Sequence, residues 1–180
     1  MSGRSLHMHE TYMKLALEEA KIALDNGEFP VGCVITDNKG VICSGRRRNS
    51  RENNEMDHAE IIALREIYRR FPEKLSGDVV IYSTMEPCLM CFSTLILNNI
   101  KTIVFAYEDI MGGGTSLPLP QLKPLYASME LQIIPNVLRS ESIRLFRKFF
   151  AENENGYWRN SLLAEYTMSQ NIDSLNEKEQ

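Results

Sequence analysis

Four side chains in two short segments have the types and spacing of a reactive metal centre. They are His58 and Glu60 of His58-Ala59-Glu60, and Cys88 and Cys91 of Pro87-Cys88-Leu89-Met90-Cys91. One imidazole and two thiolates suit zinc and leave its fourth tetrahedral position for water, the pattern of a catalytic and not a structural site. Cys88 and Cys91 are three apart, so a helix brings both to one face. Pro87 suits a helix start. The N-terminus of that helix favours anions, so both thiols are expected to ionise easily, as metal binding requires. His58 and Glu60 are two apart and would not share a face of a regular helix. That spacing casts Glu60 as a proton carrier beside the metal and not as a ligand.

Either half alone has an ordinary reading. C-x-x-C also suits a structural zinc or a redox dithiol, and a histidine at a helix start is commonly a cap or a surface residue. Together, in this order, the segments match the H-x-E, P-C-x-x-C signature of zinc-dependent nucleobase deaminases. The chain thereby resembles the cytidine deaminase superfamily, which includes cytosine, guanine and tRNA adenosine deaminases. The resemblance runs from about Met8 to Phe150. It implies one Zn2+ per chain on His58, Cys88 and Cys91, with Glu60 catalytic. The reaction it implies is hydrolytic: Glu60 moves protons from water to a ring nitrogen and then to the departing amine, ammonia leaves, and a carbonyl remains.

The same resemblance supplies a substrate pocket. Phe29-Pro30-Val31-Gly32 is similar to a V-P-x-G segment that forms part of the pocket wall, which assigns Phe29. Backbone N–H groups near Ala59 and Cys88, with Pro87 between strand and helix, orient the base. Asn49 is similar to the family's base-binding asparagine, although the loop from Asn49 to His58 is about two residues short. Asn53 or Asn54 are the substitutes, and a turn former is the ordinary role of any such asparagine. Asp57 has the ordinary role of a helix N-cap.

The elements that must position these residues follow from periodicity. Met8 to Asn26 reads as an amphipathic helix with Met13, Leu17, Ala20 and Leu24 on one stripe. Val31 to Thr36 and Val41 to Ser44 read as a hairpin around Asp37-Asn38-Lys39-Gly40. A polar loop, Arg46 to Asp57, leads to a helix over His58 to Phe71, which Pro72 to Gly77 breaks. A strand at Val79 to Thr84 delivers the cysteine helix, Cys88 to Leu97. A strand at Lys101 to Ala106, an irregular stretch from Gly112 to Leu119, a short helix near Gln121 to Ala127 and a strand at Leu131 to Ile134 follow. The intervening helix makes the last two strands parallel. Helices over Leu138 to Phe150 and Tyr157 to Met168 close the domain, residues 8–168, with the latter segment a candidate lid. A polar tail, Ser169 to Gln180, is expected to be disordered. This order predicts an α/β fold, a three-layer α/β/α sandwich. The resemblance adds a five-stranded mixed sheet in the order 2-1-3-4-5.

With 43% hydrophobic and 24% charged residues, the 180-residue chain suits one domain. No apolar run reaches membrane-spanning length, and Met1 to His9 has no apolar signal-peptide core. Cys33 and Cys43 lie in apolar runs as free buried thiols. A reducing, cytoplasmic location is expected. A net charge of −4 and a pI near 5.5 argue against a general nucleic-acid binder. Arg46-Arg47-Arg48 lies close to the active-site loop, and Arg69-Arg70 reads as a solvated face. His7 and His9 are poor ligands by position. Relatives are commonly dimers, so a homodimer is expected, with Phe92, Leu95, Ile96 and Leu97 as apolar surface for it or as core.

Two substrate branches compete. Met111-Gly112-Gly113-Gly114-Thr115-Ser116 is similar to the glycine-rich loop of tRNA adenosine deaminases. Phe149-Phe150, a polar turn, then Tyr157-Trp158 is similar to the C-terminus of cytosine deaminases, where it closes over a small substrate and excludes water. Docking of a last helix by Tyr157, Trp158 and Leu162 is the plain alternative. The reading preferred from the sequence is a small nucleobase or nucleoside of cytosine or guanine type, with Trp158 in the pocket. Adenosine in tRNA is the alternative. A non-catalytic, zinc-binding partner subunit is a second alternative, and Glu60 argues against it.

Overall fold

The computed structural model describes residues 3–52, 54–71, 78–152 and 156–171. Five strands form one sheet: β1 (Gly32–Asp37), β2 (Gly40–Arg46), β3 (Val80–Met85), β4 (Thr102–Tyr107) and β5 (Gln132–Ile134). Their order is β2-β1-β3-β4-β5, as expected. β1 pairs antiparallel with β2 and with β3, and β3, β4 and β5 are parallel. The helices are α1 (Gly3–Asp25), α2 (Ala59–Arg70), α3 (Leu89–Leu97), α4 (Pro124–Ala127), α5 (Arg139–Glu152) and α6 (Leu162–Ser169). Among the described residues, no helix is long and apolar enough to cross a membrane.

The layering follows from alternation along the strands. Val34, Tyr82, Val104 and Ile134 are register partners across four strands. They pack with Met13, Ala16 and Leu17 of α1. One residue along, Ile35, Ile81, Ile103 and Ile133 form the opposite row. That row joins Ala63 and Ile67 of α2 and Phe92 and Leu95 of α3 in the second core. Each row buries its side chains between sheet and helices, and a one-residue slip would put both rows on the wrong face.

Several expectations change in detail. Phe92, Leu95 and Ile96 are buried in the core, so of the four proposed interface residues only Leu97 is exposed. The segment from Tyr157 is not helical from its start. Gly156 and Trp158 both have positive φ, 78° and 56°, which interrupts any helix there. Ser161 then caps α6 by accepting from Ala164 N at 3.1 Å. Leu163, and not Leu162, is the buried leucine of that helix. Cys33 is buried, whereas Cys43 is only half-buried. The helix break at 72–77 and the tail from 172 lie outside the described residues.

Gly45 controls how closely α2 approaches the sheet. A Cβ there would lie 2.3 Å from the Ala59 carbonyl oxygen and 2.9 Å from Ala63 N, both helix backbone. Gly45→Ala should push the start of α2 outward. Overpacking of this kind costs about 1–3 kcal/mol, so the thermal midpoint should fall by several degrees. An unchanged midpoint in a melting experiment would show that the contact yields.

Candidate metal and substrate site

β2 and β3 deliver the ligands to the N-termini of the two helices that follow them. His58 is the N-cap of α2, with extended backbone (φ −68°, ψ 151°), and Cys88 is the N-cap of α3 (φ −63°, ψ 169°). His58 therefore stands outside the helical turn that carries Glu60. That is why two residues only two apart both reach the site. His58 Nδ1 lies 3.5 Å from Cys88 Sγ and 3.4 Å from Cys91 Sγ. A tetrahedral zinc with ordinary bond lengths separates imidazole nitrogen from thiolate sulfur by about 3.5 Å. The three ligand atoms lie within 4.8 Å of one another, so the donor set fits a zinc ion with one open position. His58 Nε2 points away, 3.3 Å from Glu55 Oε2. A carboxylate there fixes the ring so that Nδ1 faces the metal.

The thiols do not ionise alike without the ion. The hydrogen bond from Cys91 brings the Cys88 thiol down to about 4. Cys91, whose proton serves Cys88 and which is itself buried, is pushed up. Metal binding requires both sulfurs deprotonated, so a divalent cation must displace the proton that favours Cys91. Glu60 is fully enclosed. Its burial raises its proton affinity against the pull of His58. Ser83 Oγ donates to Glu60 Oε1 at 3.2 Å, and Cys91 Sγ lies 3.5 Å from Oε2. A carboxylate with raised proton affinity beside a metal position is suited to taking and returning a proton.

A cavity of about 350 Å³ opens over this centre. Phe29, Ala59 and Trp158 line it, together with Val31, Met85, Met90, Tyr157 and Leu163. Phe29 is the hub of an aromatic cluster. Its ring centroid lies 5.1 Å from Phe146, 5.3 Å from Phe149 and 5.5 Å from Tyr157. Its backbone N–H donates to Ser50 Oγ at 3.0 Å. Pro87 is buried but does not line the cavity. Its carbonyl accepts from Gly114 N at 2.9 Å.

Asn49 does not reach the cavity. It adopts positive φ, 58°, a region asparagine tolerates, and its amide donates to Asp57 Oδ2 at 2.7 Å. Asn54 donates to the same oxygen at 3.0 Å, and Asn53 lies outside the described residues. Asp57 is thus engaged by the loop, and His58 holds the N-cap position. Arg47 lines the cavity instead, only 2% exposed. The signal was present in the chain: β-strand alternation continues past β2, so Arg47 falls on the same side as buried Gly45. Arg47 N donates to Val31 O at 2.8 Å, which extends the ladder. Its Nη2 donates to Glu55 Oε2 at 3.1 Å and to the Tyr157 hydroxyl at 3.3 Å. Tyr157 in turn donates to Glu55 Oε1 at 2.9 Å. By contrast, Arg69 and Arg70 pair with Glu66 on the solvent face.

The glycine-rich loop also meets the site. Asp109 and Gly112 line the cavity, and Gly113 bridges to Cys88. Glu86 fastens this loop by accepting from Asp109 N at 3.2 Å and from Thr115 N and Oγ1 at 3.2 and 2.5 Å. A Cβ at Gly113 would come within 2.4 Å of the Glu86 carboxylate.

Residues 6–107 match the family described as the cytidine and deoxycytidylate deaminase zinc-binding region. The chain is 33% identical over 144 residues to the tRNA-specific adenosine deaminase subunit tad2 of Schizosaccharomyces pombe, covering 80% of this chain but 37% of that protein. It is also 33% identical to the tRNA-specific adenosine deaminase of Buchnera aphidicola, covering 77% of this chain and 91% of that protein. A solved tRNA deaminase that performs A-to-I editing at the wobble position superposes with a TM-score of 0.64 at 25% identity, over 75% of this chain and 98% of that one. Guanine deaminase from Nitrosomonas europaea superposes with a TM-score of 0.64 at 19% identity, over 78% of this chain and 83% of that one. That last likeness is one of fold.

Metal analysis of purified protein should find one zinc per chain. Cys88→Ala should reduce this to a small fraction and lower the melting temperature. Full zinc occupancy in that variant would remove Cys88 from the ligand set.

Proposed function

The chain belongs to the cytidine and deoxycytidylate deaminase zinc-binding family, and on that premise we propose that its substrate is an adenosine in a tRNA loop, converted to inosine. The enzyme is a zinc-dependent hydrolytic deaminase. Identity of one third to tRNA-specific adenosine deaminases, across most of this chain, carries the choice of substrate. The glycine-rich loop supports it from within the chain, because its Gly112 lines the cavity. This replaces the cytosine- or guanine-type substrate as the preferred reading.

His58, Cys88 and Cys91 would hold the ion. When bound, zinc acts as a Lewis acid and lowers the pKa of water in its open position. Glu60 would take a proton from the attacking water, whose oxygen bonds to the amino-bearing ring carbon, and pass it to the neighbouring ring nitrogen. It would then move the remaining hydroxyl proton to the amino group, so that the C–N bond breaks, ammonia leaves and a carbonyl remains. Ser83 orients the carboxylate through Oε1. Phe29 and Met85 present apolar surface to the cavity, which excludes bulk water and strengthens the local electrostatics.

A free base or nucleoside remains a second reading. The observation that favours it is that Tyr157, Trp158 and Leu163, all from the C-terminal segment, line the cavity.

An anticodon stem-loop with a wobble adenosine should yield inosine and ammonia. Its affinity should fall steeply with salt, since phosphate contacts release counterions. Turnover of free cytosine, guanine or adenosine only, insensitive to salt and abolished by Trp158→Ala, would favour the second reading. Glu60→Gln should keep zinc and fold while turnover drops about 100- to 10,000-fold. Near-normal turnover in that variant would rule out the proton-transfer role.

A further inference from the structure

Glu55 stands where two distant parts of the chain meet. Its Oε2 faces His58 Nε2 at 3.3 Å and accepts from Arg47 Nη2 at 3.1 Å. Its Oε1 accepts from the Tyr157 hydroxyl at 2.9 Å, across 102 residues of sequence. That hydroxyl in turn accepts from Arg47 Nη2 at 3.3 Å. Glu55 itself is exposed, whereas Arg47 and Tyr157 are both buried. An exposed glutamate left to itself keeps its rotamer freedom. Here two enclosed donors, one on each oxygen, hold the carboxylate where it meets the histidine.

The consequence reaches the ligand set. A neutral imidazole that offers Nδ1 to a metal carries its proton on Nε2, and Glu55 Oε2 is the acceptor within reach. A ligating histidine whose second nitrogen is held by a carboxylate is fixed in orientation and becomes a more basic ligand. Tyr157 lies outside residues 6–107, the stretch that matches the zinc-binding family. Its ring packs on Phe29 and Trp158 in the cavity wall. We propose that Tyr157 is a positioning residue for the metal centre: its hydroxyl holds Glu55 against His58, so the C-terminal segment sets how tightly His58, Cys88 and Cys91 hold zinc. The proposal rests on the zinc-dependent reading above, though not on the choice of substrate, and deepens it. A site whose ligands all lie between residues 58 and 91 is completed from the far end of the chain.

Zinc affinity tests this without any substrate. Zinc-loaded full-length protein is equilibrated with graded concentrations of a competing zinc chelator, and the zinc still bound is measured after gel filtration. Partners of the second nitrogen of a ligating histidine are worth about 10- to 100-fold in metal affinity, so Glu55→Ala should weaken zinc by that much. Tyr157→Phe keeps the ring on Phe29 and leaves Arg47 on the carboxylate. It should weaken zinc about 3- to 10-fold, the worth of one ordinary hydrogen bond. Adding Tyr157→Phe to Glu55→Ala should cost nothing more, because the hydroxyl acts through Glu55. Tyr166→Phe controls for mere loosening of the segment. It removes from α6 a hydroxyl that donates to Glu108 and leaves Tyr157 intact, so it should lower the melting temperature and hold zinc as the wild type does. Tyr157→Phe that holds zinc as tightly as the wild type overturns the proposal. So does a Tyr166→Phe variant that loses as much zinc affinity as Tyr157→Phe, and so do additive losses in the double variant. Wild-type protein that holds no zinc against the weakest chelator would overturn the zinc reading itself, and this proposal with it.

Discussion

His58 and Cys88 each occupy the N-cap of a helix, yet neither side chain caps it. A serine or aspartate in either place would stabilise its helix by about 1 kcal/mol. Here both side chains turn away from their own helices and toward each other. The rest of the structure serves that meeting. β1 spaces β2 from β3, and the chains leaving β2 and β3 reach the two caps from neighbouring parts of the sheet edge. The absence of a side chain at Gly45 lets α2 seat directly on β2. The backbone N–H of Cys91, in the first turn of α3, faces the Cys88 sulfur and favours the anionic form a cation needs.

A second set of contacts ties the C-terminus to this centre. Arg47, Glu55 and Tyr157 form a closed triangle of hydrogen bonds, and Glu55 continues it to His58. Phe29 packs against Tyr157 and Trp158 as well as against α5. Burial holds the Tyr157 hydroxyl protonated, up to about 12, so it remains a donor to Glu55 throughout the neutral range. The wall of the cavity and the orientation of the histidine therefore share one network. Movement of the segment around Trp158 would be felt at the metal position.

The sequence made the frame legible because apolar periodicity and turn residues are local signals. The stripe of α1, the hairpin at Asp37 to Gly40 and the two motif segments could each be read without knowing their neighbours. The pocket could not. Asn49 has the right residue type near the right place, but a short loop rotates it onto Asp57, and only tertiary structure sets that register. Arg47 was hidden for the opposite reason: the sequence places the triple arginine only close to the active-site loop, and strand parity, which turns the middle one inward, singles out Arg47 only once the extent of β2 is known. The end of the chain was obscured by a backbone feature. A tryptophan with positive φ is costly and rare, and no periodicity rule anticipates one. The protonation of the two cysteines also required the structure, because their spacing alone treats them as equals.

The glycine-rich loop and the metal centre share a single fastening. Glu86 stands one residue before Pro87, and its carboxylate holds the loop at Asp109 and Thr115 while Gly113 lies against Cys88. The loop and the cysteine helix thus form one mechanical unit. A loop grafted from a relative with a different substrate range would have to arrive with a glycine at 113 and a partner for Glu86. Otherwise the graft would shift a zinc ligand along with the pocket wall.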